Sequence, residues 1–278
     1  MRTWVLLRVA FDAPKDDWSP WIDVLIGHGS HGVLEEPQTL VAYYPEVPGV
    51  DGVLDLAESD MLEMGAIGVK RVSVEEEDWD ATFRTHFKPR RIGKRFVVRP
   101  TWEAFAAEPD DLELVLDPGQ AFGTGDHPTT RMCLELLEDA TIAGRTVLDL
   151  GCGSGILSIA ASKLGAARVL GVDVDPLSVE VAKENATANR AAATFQSGEG
   201  FSGIADAWDV VVSNIISAVL IRLAPEAFRV VAPGGTWIVS GIIHDNWPDV
   251  RKAAKSVGFT LMTQRREDDW VAASFARP

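Results

Sequence analysis

Val147-Leu148-Asp149-Leu150-Gly151-Cys152-Gly153-Ser154-Gly155, followed by Ile156, Ile159 and Ala160, reads as a short apolar strand, a glycine-rich turn and the start of a helix. Glycine lets a backbone approach a ligand closely, and a helix start offers free N–H groups. A lone G-x-G carries little weight; its context decides. Here the next apolar run, Val169 to Val172, ends in Asp173, 22 residues after Gly151. A carboxylate at the tip of a second strand can accept both hydroxyls of a ribose. Asp175-Pro176 has a structural explanation instead, as a helix cap and a first-turn proline.

Two cofactor classes share that ribose logic. NAD enzymes use G-x-G-x-x-G, whereas Gly151, Gly153 and Gly155 stand at G-x-G-x-G, with Asp149 two residues before the first glycine. That shorter spacing resembles class I S-adenosylmethionine (AdoMet) methyltransferases. Cys152 suits the turn by its small size. No histidine stands beside it in sequence to activate it as a nucleophile.

Outward from the turn, strands alternate with helices. Val147–Leu150, Val169–Val172, Val210–Ser213 and Trp237–Ser240 are short apolar runs, as strands buried on both faces should be. Leu220, Leu223, Ala224, Ala227 and Val231 form one helical stripe; Val250, Ala253, Ala254 and Val257 form another. This alternation predicts an α/β domain over 114–278, a Rossmann-like, mostly parallel sheet with helices on both faces. Phe259 to Phe275 reads as two strands joined by the polar segment Gln264–Asp269.

Residues 1–78 have another rhythm. A strand from Trp4 to Phe11, a helix marked by Trp18, Trp21, Ile22, Leu25 and Ile26, and short strands on either side of Pro37 come first. A helix through Leu54, Ala57, Met61 and Met64, closed by Gly65, and a strand from Val69 to Val74 follow. The β-α-β-β-α-β order predicts a smaller α+β ferredoxin-like domain. Residues 79–113, with Pro89, Pro100 and Pro109, read as a linker. Lys88, Arg90, Arg91, Lys94, Arg95 and Arg99 lie within it, either as a solvated strand pair or as a contact for substrate or RNA.

The chain of 278 residues carries a formal charge of −15, and residues 1–78 alone hold 16 acidic and 5 basic side chains. Affinity for a phosphate backbone comes from Lys and Arg, so nucleic-acid binding as the main role is disfavoured. A basic partner or a small ligand fits better. Two cysteines give neither a disulfide framework nor a metal site by themselves, and no metal is expected. The start has no signal-peptide pattern, and no 18-residue apolar run occurs. The expectation is a cytoplasmic protein without a membrane partner.

The fourth strand of the α/β domain ends in Asn214-Ile215-Ile216-Ser217. Ligands of open α/β sheets sit outside the carboxyl ends of the strands, so Asn214 is placed to face a transferred methyl and to accept a hydrogen bond from an amine. Many amine and amide methyltransferases have two prolines after this asparagine; this chain has two isoleucines.

A further stretch runs Leu116-Asp117-Pro118-Gly119-Gln120-Ala121-Phe122-Gly123-Thr124-Gly125-Asp126-His127-Pro128-Thr129-Thr130. It lacks the G-K-[ST] ending of a phosphate loop. Together with the glycine turn, Gly171-Val172-Asp173-Val174-Asp175-Pro176 and Asn214-Ile215-Ile216, this stretch resembles the bacterial family that methylates ribosomal protein L11. Glu77-Asp78-Trp79, Phe87-x-Pro89 and Pro100-x-Trp102 extend the likeness upstream, so that it covers about 75–278 by motif and the remainder by order of elements.

The resemblance implies that Thr130, Gly151, Gly153, Asp173 and Asn214 bind AdoMet, with S-adenosylhomocysteine as product. It also implies that Phe122 and His127 line the active-site loop beside Asn214. It further implies an acidic first domain that recognises a basic ribosomal protein, whose lysines and α-amino group become trimethylated. His127 could accept a proton, orient the loop or contact the helix start. An rRNA methyltransferase, a small-molecule N-methyltransferase and a non-catalytic AdoMet-binding scaffold are the alternatives.

Overall fold

The structure is a computed structural model that describes residues 3–14, 18–75, 88–117, 125 and 127–278. The chain forms two compact units, Met1–His86 and Phe87–Pro278.

In the first unit the strands are β1 (Thr3–Ala10), β2 (Val33–Glu36), β3 (Thr39–Pro45) and β4 (Gly68–Glu75); the helices are α1 (Ser19–Gly27) and α2 (Val50–Glu63). The antiparallel sheet runs β2-β3-β1-β4, the ferredoxin-like order. Alternation decides which face is covered: Val5, Leu7 and Val9 are buried with Leu25, Leu54 and Met61 from the helices.

The second unit begins with a small sheet, β5 (Arg90–Ile92), β6 (Phe96–Arg99) and β7 (Leu112–Val115). Most of this sheet falls within the stretch 79–113 that reads as a linker in sequence. Over its described part that stretch carries strands whose Ile92, Phe96 and Val98 join Leu114 in the core of this unit. Four apolar residues suffice for a strand once a neighbouring element covers them, and the prolines fall outside the paired positions.

Next come α3 (Pro128–Asp139), β8 (Thr146–Leu150), α4 (Ile156–Lys163), β9 (Arg168–Asp173), α5 (Pro176–Ala188), β10 (Thr194–Ser197) and β11 (Trp208–Asn214). After them lie α6 (Ser217–Val230), β12 (Val231–Ile243), α7 (Trp247–Ser256), β13 (Thr260–Glu267) and β14 (Trp270–Ala276). The seven-stranded sheet runs β10-β9-β8-β11-β12-β14-β13. The first five strands are parallel, and β14 is antiparallel to both neighbours. Counted within the sheet this is 3-2-1-4-5-7-6, the class I methyltransferase fold. Strand order reverses between β8 and β11, and a crevice opens there at the carboxyl ends of the strands.

Apolar layers cover both faces. Leu137, Ile159 and Ala160 pack with Val147 and Val212 on one side, while Leu220, Ala224 and Trp247 pack with Val211 and Trp237 on the other. Two edge details differ from the sequence expectation. β13 continues through Gln264 to Glu267, so the connection is only Asp268-Asp269, with Asp268 left-handed at φ 51°. β10 was not anticipated. Both are edge strands with one side open to water, where polar residues are tolerated and apolar patterning fades.

Candidate active site

The glycine turn joins the tips of β8 and β9. Gly151 and Cys152 donate their N–H groups to the Val172 carbonyl at 2.8 and 3.1 Å. Gly151 is left-handed at φ 77°, and a Cβ there would lie 2.4 Å from Cγ2 of Ile215. Both backbone and space therefore demand glycine. The half-buried Asp173 is oriented by two backbone donors: Gly153 N–H to Oδ2 at 2.8 Å and Asp175 N–H to Oδ1 at 3.0 Å. Asp175 caps α5 through the Leu177 N–H at 3.0 Å, with Pro176 following it.

Beneath the turn, Asp149 is fully buried. Its Oδ2 accepts the Ser158 N–H at 3.0 Å and hydroxyl at 2.7 Å, while Oδ1 has no partner among the described residues. Burial pushes this carboxyl up to about 7, against the lowering effect of Ser158. Cys152 is buried and its thiol is pushed upward by desolvation, with Asp149 and Asp173 adding to the effect. A thiol held protonated is a poor nucleophile.

Opposite the turn, β11 ends in Asn214. Its Nδ2 donates to Oγ1 of the fully buried Thr130 on α3 at 3.4 Å. Its Oδ1 is buried without a partner among the described residues. A buried amide oxygen left unpaired costs about 1–3 kcal/mol, so it marks a place where a donor belongs.

His127 is the N-cap of α3. Its Nδ1 accepts the Thr129 N–H at 3.3 Å and lies 2.7 Å from Thr129 Oγ1. That nitrogen is the acceptor, which leaves the neutral ring's proton on Nε2. Burial holds the imidazole below its ordinary range; Arg131 adds to this and Glu267 opposes it. Its ring meets Trp270 edge-on, with centroids 4.7 Å apart. Phe122 lies outside the described residues.

A cavity of about 640 Å³ gathers these groups. His127, Gly151, Gly153, Asp173 and Asn214 line it, and Thr130 stands behind Asn214. The sequence reading missed Trp270 and Gly241, which also line the cavity. Gly241 had left a signal, since a glycine inside a strand pattern marks a bulge or a close approach. Trp270 left none, because only the order of β14 beside β12 brings it near β8.

The cavity suits a sulfonium nucleoside. It offers an oriented carboxylate at a strand tip, a turn with glycine at three of its five positions and, across from it, a buried acceptor without a partner among the described residues. The basic stretch has another use. Lys88 pairs with Glu103 at 2.6 Å, Arg91 with Asp111 at 2.5 Å, Arg99 with Glu113 at 2.6 Å and Lys94 with Asp139 at 3.7 Å. Four of its six cations thus face carboxylates of their own unit. No helix among the described residues is long and apolar enough to cross a membrane.

Comparison with known proteins gives a consistent result. The family model for ribosomal protein L11 methyltransferase matches residues 16–278. A ribosomal protein L11 methyltransferase from Heliobacterium modesticaldum is 46% identical over 199 residues, covering 71% of this chain and 63% of that one. One from Geobacter metallireducens is 48% identical over 198 residues, covering 71% and 66%. These two alignments span just under two thirds of each relative's length. One from Halalkalibacterium halodurans is 40% identical over 276 residues, covering 95% and 88%. The crystal structure of a ribosomal protein L11 methylase from Lactobacillus delbrueckii subsp. bulgaricus is 31% identical, with a TM-score of 0.65, and the match covers 69% of this chain and 99% of that chain. This chain belongs to the ribosomal protein L11 methyltransferase family.

Proposed function

We propose that this chain is an AdoMet-dependent protein N-methyltransferase that acts on lysine and α-amino groups of ribosomal protein L11 and carries them to the trimethyl state. The observation that carries this reading is the buried Oδ1 of Asn214, without a partner among the described residues and set in one cavity with Asp173 and the glycine turn. Asp173 holds the ribose, and Gly151 and Gly153 let the turn lie close to the rest of the nucleoside. His127 lines the cavity, and the family resemblance adds Phe122, which lies outside the described residues. When bound, AdoMet supplies an electrophilic sulfonium methyl.

The residues then have to present a neutral amine. Lysine has a reference pKa of about 10.4, so little is neutral at pH 7. The partly apolar wall of Trp270, Ile215 and Ile216 disfavours the ammonium form and lowers that value. Asn214 Oδ1 accepts an amine N–H and turns the lone pair toward the transferred methyl. Holding reactants in line can supply about 7–11 kcal/mol of the barrier. His127 Nδ1 is occupied by Thr129, so its part is to cap α3 and wall the site. Bulk water takes the proton.

The neutral primary amine has two N–H groups, the monomethylamine one and the dimethylamine none. The help from Asn214 therefore lasts through the second transfer, and the third methyl depends on packing alone. The first unit, acidic over residues 1–78, attracts a lysine-rich partner. The deciding experiment is mass spectrometry of purified L11 after incubation with the chain and AdoMet. One-methyl mass steps ending at trimethylated amines support the reading. Labelling of rRNA or of a small amine in place of L11 overturns the substrate, and AdoMet binding without turnover points to a scaffold.

A further inference from the structure

The tip of β11 is held from two sides by positions that lack side chains. On one side, Cγ2 of Ile215 occupies the space that a Cβ on Gly151 would fill. On the other side stands Gly241, in the irregular stretch of β12 where pairing with β14 shifts between Val239 and Ile242. Gly241 is left-handed at φ 80°. A Cβ there would lie 2.4 Å from the Ile215 oxygen, 2.8 Å from its carbonyl carbon and 3.0 Å from its nitrogen. All three are backbone atoms, which cannot swing aside as the end of a flexible side chain can. One residue earlier, Asn214 pairs with Ser240, and the Ile215 N–H donates to the Ser240 carbonyl at 3.1 Å. Gly241 also lines the cavity.

We infer that Gly241 is a positioning residue for methyl transfer: with Gly151 it clamps Ile215 and so fixes the Asn214 amide against the glycine turn. The inference rests on the reading of Asn214 given above. It explains a glycine third from the end of a 13-residue strand, where it otherwise weakens pairing. It also explains the isoleucine after Asn214, since the branched side chain fills the groove over Gly151.

The test compares Gly241→Ala with Gly234→Ala. Gly234 is also left-handed, at φ 74°, but nothing lies within 4 Å of a Cβ built on it. The control therefore carries the backbone cost alone. With L11 as substrate, Gly241→Ala should lose about a hundredfold in kcat, the scale for a misplacement of about 1 Å, while AdoMet affinity and KM stay within about threefold. Gly234→Ala should keep the wild-type kcat. Equal kcat values for the two variants overturn the inference. So does a loss in Gly241→Ala that lies wholly in AdoMet affinity. If Gly241→Ala fails to fold, Ile215→Ala loosens the clamp from the Gly151 side, and kcat should fall about tenfold with AdoMet still bound. An unchanged kcat there also overturns it. A wild-type chain that neither binds AdoMet nor methylates L11 instead removes the underlying reading.

Discussion

The two halves of the cavity are built differently. The cofactor half is local: strand, turn, helix and second strand follow one another from Val147 to Asp173, and the hydrogen bonds that join the turn to the second strand stay within that stretch. The acceptor half is assembled from distant pieces, with His127 and Thr130 at the start of α3, Asn214 and Ile215 at the tip of β11, Gly241 in β12 and Trp270 at the head of β14. A local half should bind its ligand whatever happens across the cavity. An assembled half should lose rate before it loses binding.

The largest effects should divide the halves cleanly. Asp173→Ala removes the carboxylate proposed to hold the ribose, together with the partner of the Gly153 N–H. Two charge-assisted hydrogen bonds at about 1.5–3 kcal/mol each predict a loss of AdoMet affinity on the order of a hundredfold or more, read by calorimetry. Asn214→Ala should lower kcat about a hundredfold for the first and second methyls and little for the third, with AdoMet affinity within about threefold. Time-resolved mass spectra of L11 would show the loss at each step. A uniform loss across all three transfers would contradict the N–H count.

A middle-sized effect concerns the protein substrate. Raising salt from low to physiological strength should raise the apparent KM for L11 several-fold and leave AdoMet affinity nearly unchanged, because exposed charges are screened over about 8 Å at 0.15 M. A flat KM would dissociate the acidic first unit from recognition.

Smaller effects concern stability. His127→Ala removes the α3 cap and should lower stability by about 1 kcal/mol, seen as a lower Tm. The pH profile of kcat/KM should keep its shape; loss of an acid limb would make His127 a proton acceptor after all. Asp149 gives the last prediction. Its folded-state carboxyl is raised from 3.8 to about 7, so the native state holds its proton more tightly than the unfolded chain does. That contribution is fully present below about pH 4 and is lost as pH rises through about 7. Asp149→Asn should flatten the dependence of Tm on pH across this window.

The same contrast explains what the sequence could disclose. The glycine turn, Asp173 and Asn214 were legible because a strand end, a spacing and a carboxylate are encoded within a few residues. The α/β alternation was legible because strands covered on both faces must be apolar. In 88–113 a solvated strand pair was legible from its basic residues, but the burial of Ile92, Phe96 and Val98 in the second unit's core was not, since the stretch looks like linker until α3 covers it. Edge strand β10 and the extension of β13 lacked an apolar pattern for the same physical reason. Trp270 was hidden by topology: a tryptophan after a polar turn says nothing until β14 is known to insert between β12 and β13. Phe122 is a different case, because it lies outside the described residues.

The most direct measurement is a crystal structure of the chain soaked with S-adenosylhomocysteine. The ribose hydroxyls should rest on the Asp173 carboxylate, the turn at Gly151–Gly153 should follow the nucleoside, and the sulfur should face Asn214 Oδ1. A nucleoside bound elsewhere, or one whose sulfur points away from Asn214, would contradict the account.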